Sequence, residues 1–358
     1  MTFLLWGILC LQDAPLAAER ARLASRPALT ETDKESYRFP ALARPGKIRT
    51  SYTLAVIPVE FADQGMGRTD LAKLFFELVS AYFSRVSGGR FSLRGEVYPK
   101  VTLETARGDY AEKDLERAVA AVIRGTEGGK LLASDGVAFV LAGRLGKRDS
   151  AMWPHKDSMR FGERMLDYLV TAEDADGWAV SILAHESMHL LGLADKYNNP
   201  DTQVGKWCIL GMGYSEKDPM PPCAECRERL GWCDLAAIKP GDSSKIVQEA
   251  DPSRVVKVLL NPDGSEYLLC EMRDRLLVWH VGGNKAIELL GRYPSEKTDR
   301  LTPLSDPPFR GRTLGSQPVW ITDIRIQDGK AWYTVGAEAP LTPLEEWRQA
   351  RVGKRLSD

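Results

Sequence analysis

Histidine is nearly missing from this chain, with four residues in 358. Net charge is nearly missing too: 48 basic residues against 49 acidic ones leave −1. A chain so balanced has no electrostatic footprint for nucleic acid or an anionic membrane, and neither is expected as a partner. No run reaches the roughly 18 apolar residues that cross a bilayer, so no membrane span is expected. Internal repeats and low-complexity tracts are absent as well, which sets repeat architectures aside. What remains is ordinary globular material. The hydrophobic share of 44% and charged share of 27% suit a chain with a real core, long enough for one large domain or two moderate ones.

The N-terminus differs from the rest. An apolar run from Phe3 to Leu11 is followed by a polar break and by Ala17 and Ala18. This pattern resembles a secretory signal over residues 1–18, and it places the protein outside the cytoplasm. Cleavage there removes Cys10 and leaves five cysteines. Residues 19–50 carry Pro27, Pro40 and Pro45 among many charges and read as a linker or short pro-segment.

From Tyr52 the texture is that of strands and helices in alternation. Tyr52–Phe61 is a β-rich apolar run, and Thr69–Gly89 repeats apolar residues at helical spacing up to a glycine pair. Arg90–Glu104 reads as a strand pair turning at Pro99, Glu112–Gly125 as a second amphipathic helix, and Asp135–Gly143 as a buried strand. A helix is expected around Arg160 to Thr171, then another over Gly177 to Leu191. After Pro240 short β-rich runs follow, separated by Asn261-Pro262-Asp263-Gly264, Gly282-Gly283 and Asp328-Gly329 turns. The expected organisation is a layered α+β domain over 51–240, a β-rich part over 241–337 and a tail over 338–358.

Two of the four histidines lie in one stretch, His185-Glu-Ser-Met-His-Leu-Leu-Gly-Leu-Ala-Asp195. On a helix His185 and His189 sit one turn apart and point the same way, which lets both imidazoles hold one Zn²⁺. Glu186 then lies beside the first ligand, placed to take a proton from water activated by the metal. Gly192 lets the chain turn and brings Asp195 back as a third, oxygen ligand. Three protein ligands and one open position are what a catalytic zinc needs. At this histidine frequency an accidental His-Glu-x-x-His is expected in roughly a few chains per thousand. The bland reading, two core histidines on a buried helix, strands Glu186 among apolar neighbours at a cost.

The pattern His-Glu-x-x-His-x-x-Gly-x-x-Asp is that of metzincin-type zinc peptidases, and the continuation through Lys196 and Tyr197 resembles the immune inhibitor A family of bacterial secreted metallopeptidases. Leu54–Gln64, Ser80–Ala111, Asp135–Arg144, Met152–Lys156 and Glu266–Val281 also have counterparts in that family. The resemblance runs from about Tyr52 to Val335. It implies a metzincin-like catalytic domain with a mixed sheet and an active-site helix, one catalytic zinc and protein or peptide substrates. The implied reaction is peptide-bond hydrolysis with Glu186 as general base. Metzincins place a methionine in a turn beneath the zinc. The matching segment here is Lys206–Ser215, where that slot holds Leu210 and Met212 follows two residues on, so Met212 is the expected hydrophobic floor.

Tyr197 reads either as a donor to the oxyanion of a tetrahedral intermediate or as a packing aromatic. His155 and His280 are expected to be structural. Cys208, Cys223, Cys226 and Cys233 cluster with spacing C-x14-C-x2-C-x6-C, which suits two disulfides in an exported protein or a second, structural zinc. Cys270 is left over in a strand. A monomer is expected, and calcium dependence is not legible. The rival expectation is a non-catalytic zinc-binding or scaffold protein on the same fold, and the intact Glu186 argues against it.

Overall fold

The computed structural model describes residues 28–38, 48–110, 133–144, 153–161, 163–174, 177–197, 201–283, 285–293 and 319–336, with isolated positions between 114 and 121. The signal and the tail read from the sequence lie outside the described residues, as does most of the helix expected over Glu112–Gly125. The chain forms two compact units, Pro45–Cys233 and a second made of Met1–Arg44 with Asp234–Asp358. Among the described residues no helix is long and apolar enough to cross a membrane.

In the Pro45–Cys233 unit, β1 (Ser51–Glu60), β4 (Gly136–Arg144) and β6 (Arg164–Asp174) run in parallel through the middle of a sheet. Period-2 geometry explains how one face closes. Ala55, Ile57 and Val59 of β1 align with Val137, Phe139 and Leu141 of β4 and with Tyr168 and Val170 of β6, forming one buried cluster. Leu54, Val56, Ala138, Val140 and Leu169 on the alternate positions are buried too. Burial on both faces is why these strands read as continuous apolar runs rather than alternating ones.

Two sequence expectations fail here. β2 (Ser92–Val97) and β3 (Val101–Thr102) do not pair with each other; both run parallel to β1, along its Ser51–Val56 and Val59–Glu60 stretches. Pro99 therefore interrupts one edge strand instead of turning a hairpin, because proline offers no ladder donor. The helix expected around Arg160 to Thr171 is a hairpin. β5 (His155–Phe161) pairs antiparallel with β6, and β5 forms the edge of the sheet. Leu166, Leu169 and Val170 satisfy a helical spacing as well as a strand, and docking β6 beside β4 decides for the strand.

The expected helix after Thr69 is present. Leu71–Lys73, Leu74–Val79 and Ser80–Val86 follow one another as α1, with a π-helical middle segment. Phe83 of α1 packs edge-on against Phe91 and Trp232, ring centroids 5.5 and 6.0 Å apart. Truncating Phe83 to alanine would open a cavity there costing about 3–5 kcal/mol. α2 (Ala179–Leu190) packs on β6, β5 and the π segment of α1; the two-residue strand β7 (Thr202–Gln203) follows, and the short α3 (Ala224–Leu230) comes last in the unit.

Among its described residues the second unit is all β apart from one helical turn, Glu31–Lys34. β8 (Asp234–Ile238), β10 (Arg254–Leu259), β11 (Tyr267–Met272), β12 (Leu276–Gly282) and β13 (Lys285–Tyr293) lie side by side; β9 (Ser244–Glu249) pairs with β15 (Lys330–Gly336), which pairs with β14 (Trp320–Gln327). Val256, Leu268, Cys270 and Val278 from the first sheet share a core with Ile246, Ile321, Tyr333 and Val335 from the second. The short β-rich runs expected after Pro240 are strands, β10, β11, β12, β14 and β15. The division between units falls after Cys233 rather than at 240, because β8 pairs with β10 and so belongs to the second sheet system. Residues 28–38 belong to this unit as well. Leu29 and Tyr37 pack on Trp332, and Arg38 bridges to Ile246.

Candidate metal centre

α2 holds His185 and His189 one turn apart, and the way it ends decides what they face. The N–H of Gly192 reaches the His189 carbonyl at 3.0 Å and that of Leu193 reaches the Met188 carbonyl at 3.2 Å. This is a Schellman end, with Gly192 at φ +85° and with Leu193 and Met188 both buried. The Leu193 carbonyl so placed accepts from His189 Nδ1 at 2.7 Å. His185 Nδ1 lies 2.9 Å from the Ile209 carbonyl and 2.9 Å from the Tyr214 hydroxyl. A carbonyl only accepts, so both Nδ1 atoms carry the proton and both Nε2 atoms present lone pairs.

Those lone pairs converge. His185 Nε2 and His189 Nε2 are 3.2 Å apart, and Asp195 Oδ1 lies 3.0 Å from the first and 3.3 Å from the second. Three acceptors facing one point repel one another unless a cation sits among them. A tetrahedral zinc with bonds of ~2.0–2.1 Å sets its donor atoms about 3.3 Å apart, so the triangle has the right size. Without a metal a proton must serve. Burial opposes charge on His189, yet its bonds with Asp195 and the Leu193 carbonyl hold its pKa above the usual imidazole value. Burial likewise works against the Asp195 carboxylate, but the two imidazoles hold its pKa well below the ordinary range. His185 is 2% exposed, His189 14% and Asp195 42%, so the centre opens to solvent on the aspartate side.

Glu186 is buried beside this centre, and burial pushes its carboxyl pKa up against the pull of His185 and His189. No hydrogen bond from a described residue reaches its carboxylate. Tyr197 packs its ring on His185, centroids 6.0 Å apart and planes 29° from parallel. The segment beneath is stitched to α2 by Ser181, whose Oγ donates to the Ser215 carbonyl at 2.6 Å and accepts from the Ser215 N–H at 3.0 Å.

Met212 is not the floor of this centre. It is 61% exposed, whereas Leu210 is fully buried. The Met212 N–H is bound to the Gly205 carbonyl at 2.9 Å. What the segment supplies is polar: the Ile209 carbonyl and the Tyr214 hydroxyl. Sequence reasoning missed Tyr214, and its only signal was membership of the segment matched to the methionine turn. His155 opens β5 with Nδ1 2.7 Å from the Trp153 carbonyl. His280 is buried in β12 beside Glu266 and Glu288. Among the described residues two groups have the geometry to hold a metal: His185, His189 and Asp195, and a separate trio, Cys208, Cys223 and Cys226. Cys233 and Cys270 are buried outside that trio, and none of the five described cysteines is in a disulfide.

No protein-family model matches the chain, and no curated protein matches it in sequence. Among solved structures it is similar to metalloproteinase-II from Bacteroides fragilis, at 15% identity and a TM-score of 0.34, over 58% of this chain and 58% of that one. A second similar structure, of a chaperone-substrate complex, has a TM-score of 0.25 at 15% identity, over 49% of this chain and 32% of that one. The chain thus spans less than two thirds of the length of either.

Proposed function

We propose that this protein is an exported, zinc-dependent metalloendopeptidase of the metzincin type, related to the immune inhibitor A family. The observation that carries the reading is the convergence of His185 Nε2, His189 Nε2 and Asp195 Oδ1, 3.0–3.3 Å from one another. His185, His189 and Asp195 would hold the zinc. When bound, it polarises a peptide carbonyl and acidifies water. Glu186 supplies what a metal cannot. Its buried carboxylate accepts the proton of the attacking water at Oε and returns it to the leaving amine. A raised pKa suits that task, since the group must both take and give up a proton near neutral pH. The export reading rests on the apolar run Phe3–Leu11.

The peptide itself has a place to lie. β5 is an edge strand next to α2, and an extended chain adds to such an edge through main-chain hydrogen bonds. The rival is a binding protein that keeps the fold and the metal, and the outward-facing Met212 favours it. Glu186 decides between them. The test is zinc content by elemental analysis with casein cleavage on the same samples, wild type beside Glu186→Gln. The expected outcome is unchanged zinc and a loss of at least about 10²-fold in turnover. Equal cleavage by both would sink the assignment, and metal without cleavage in wild type would favour the rival.

A further inference from the structure

The chain places a second set of metal-type donors near the first, and no peptidase step uses it. Cys208, Cys223 and Cys226 are fully buried, and their sulfur atoms all lie within 4.8 Å of one another. The Cys223 and Cys226 sulfurs are 3.5 Å apart. A disulfide needs about 2.05 Å and uses only two sulfurs. A tetrahedral zinc with Zn–S bonds of ~2.3 Å spaces its sulfurs about 3.8 Å apart. Backbone is wrapped around the trio as well. The Cys223 N–H points at Cys208 Sγ, 3.3 Å away, and the N–H groups of Gly211 and Gly213 both donate to the Cys208 carbonyl. A Cβ on Gly213 would sit 2.5 Å from that oxygen, so the turn closes this tightly only with glycine. Beside it the carboxylate of Glu225, 3.6 Å from Cys226 Sγ, is ion-paired with the buried Lys196 ammonium at 2.8 Å.

We propose that Cys208, Cys223 and Cys226 bind a second, structural zinc ion as thiolates. Binding releases three thiol protons to solvent, and Glu225 or a water takes the fourth position. The ion fastens a loop to the start of α3 across 15 residues of sequence. Its position has a consequence. The two residues after Cys208 carry the carbonyls that hold His185, through Ile209, and the Lys196 N–H next to Asp195, through Leu210 at 2.7 Å. The thiolate zinc would thus steady two donors of the histidine centre. That consequence rests on the peptidase reading; the zinc site itself does not.

The test uses the full chain, purified without added reductant and loaded with zinc or with cobalt(II), as wild type and as His185→Ala/His189→Ala. Two zinc ions are expected in wild type and one in the double variant. The cobalt form of both should show the near-ultraviolet sulfur-to-cobalt charge-transfer band, at equal intensity per chain. Cys223→Ser/Cys226→Ser should lose that band. Should that variant fail to fold, the band in the histidine double variant still decides. Absence of the band from wild type, or peptide mapping that finds Cys223 and Cys226 joined as a disulfide, would overturn the proposal. Failure of the peptidase reading looks different: no casein cleavage by wild type, with the band intact.

Discussion

Two places in this molecule set histidine against carboxylate at about 3 Å, and they are built in opposite ways. At His185 the imidazole donates through Nδ1 to the backbone, and its Nε2 faces two further acceptors, His189 Nε2 and Asp195 Oδ1. At His280 the carboxylates flank the ring: Glu266 lies 2.9 Å from Nε2 and Glu288 3.5 Å from Nδ1. There the two carboxylates sit at different nitrogens of one ring, and no set of lone pairs converges on a point. At the His185 centre three lone pairs do. The His280 set is also shut away, with both glutamates nearly buried, whereas Asp195 is 42% exposed. Proximity of histidine and acid therefore says little; the direction of the lone pairs and an open side separate a centre that recruits a ligand from one that only holds strands together.

The comparison breaks most visibly by truncation. His189→Ala should remove metal from the histidine centre and all casein cleavage with it, both restored only by the wild-type residue and not by added zinc. Cleavage retained after His189→Ala would mean the convergence has no chemical role. A finer cut is Tyr214→Phe, which leaves the triangle intact and deletes a partner of His185 Nδ1. Loss of such an outer partner lowers metal affinity by roughly 10–100-fold, measurable by competition with a chelator; unchanged affinity would assign His185 orientation to the Ile209 carbonyl alone. His280→Gln should leave zinc content and cleavage untouched and cost about 1–3 kcal/mol in denaturant unfolding, because the nearly buried Glu266 carboxylate loses the His280 Nε2 contact at 2.9 Å. A change in metal content there would erase the distinction drawn above.

The smallest expected effect is a pH dependence in the metal-free protein. Glu186 has its pKa raised by burial, so its charge penalises the fold above the ordinary glutamate range, increasingly as pH rises through the folded-state value. Below that range the carboxyl is protonated folded or unfolded and the penalty vanishes. Metal-free Glu186→Gln should therefore melt above wild type at neutral pH, with the gap closing on acidification. A gap independent of pH would show that Glu186 is not desolvated.

Legibility differed by kind of feature. The helix carrying His185 and His189 was readable because its glycine stop and its apolar spacing agree, and α2 runs Ala179–Leu190 where Gly177 to Leu191 was expected. The C-terminal strands were readable because β-rich runs alternate with glycine turns. The hairpin of β5 and β6 was not, since Leu166, Leu169 and Val170 fit a helix equally and only the neighbouring strand β4 chooses. Met212 was misplaced for a related reason. Spacing places a residue in a turn but does not say which side chain of the turn is enclosed, and here Leu210 is buried while Met212 is exposed.

By itself the sequence determined the chemistry on offer: two imidazoles at i and i+4, a glutamate between them, a glycine to reverse the chain and an aspartate beyond it. Local rules suffice for that, because helix periodicity and a left-handed glycine are set within a dozen residues. Tertiary structure decided the rest. The Ile209 carbonyl and Tyr214 hydroxyl arrive from 24 and 29 residues away to orient His185, and Cys208 meets Cys223 across 15. Contacts of that range depend on how sheet, helix and loop pack against one another, and no local pattern encodes them.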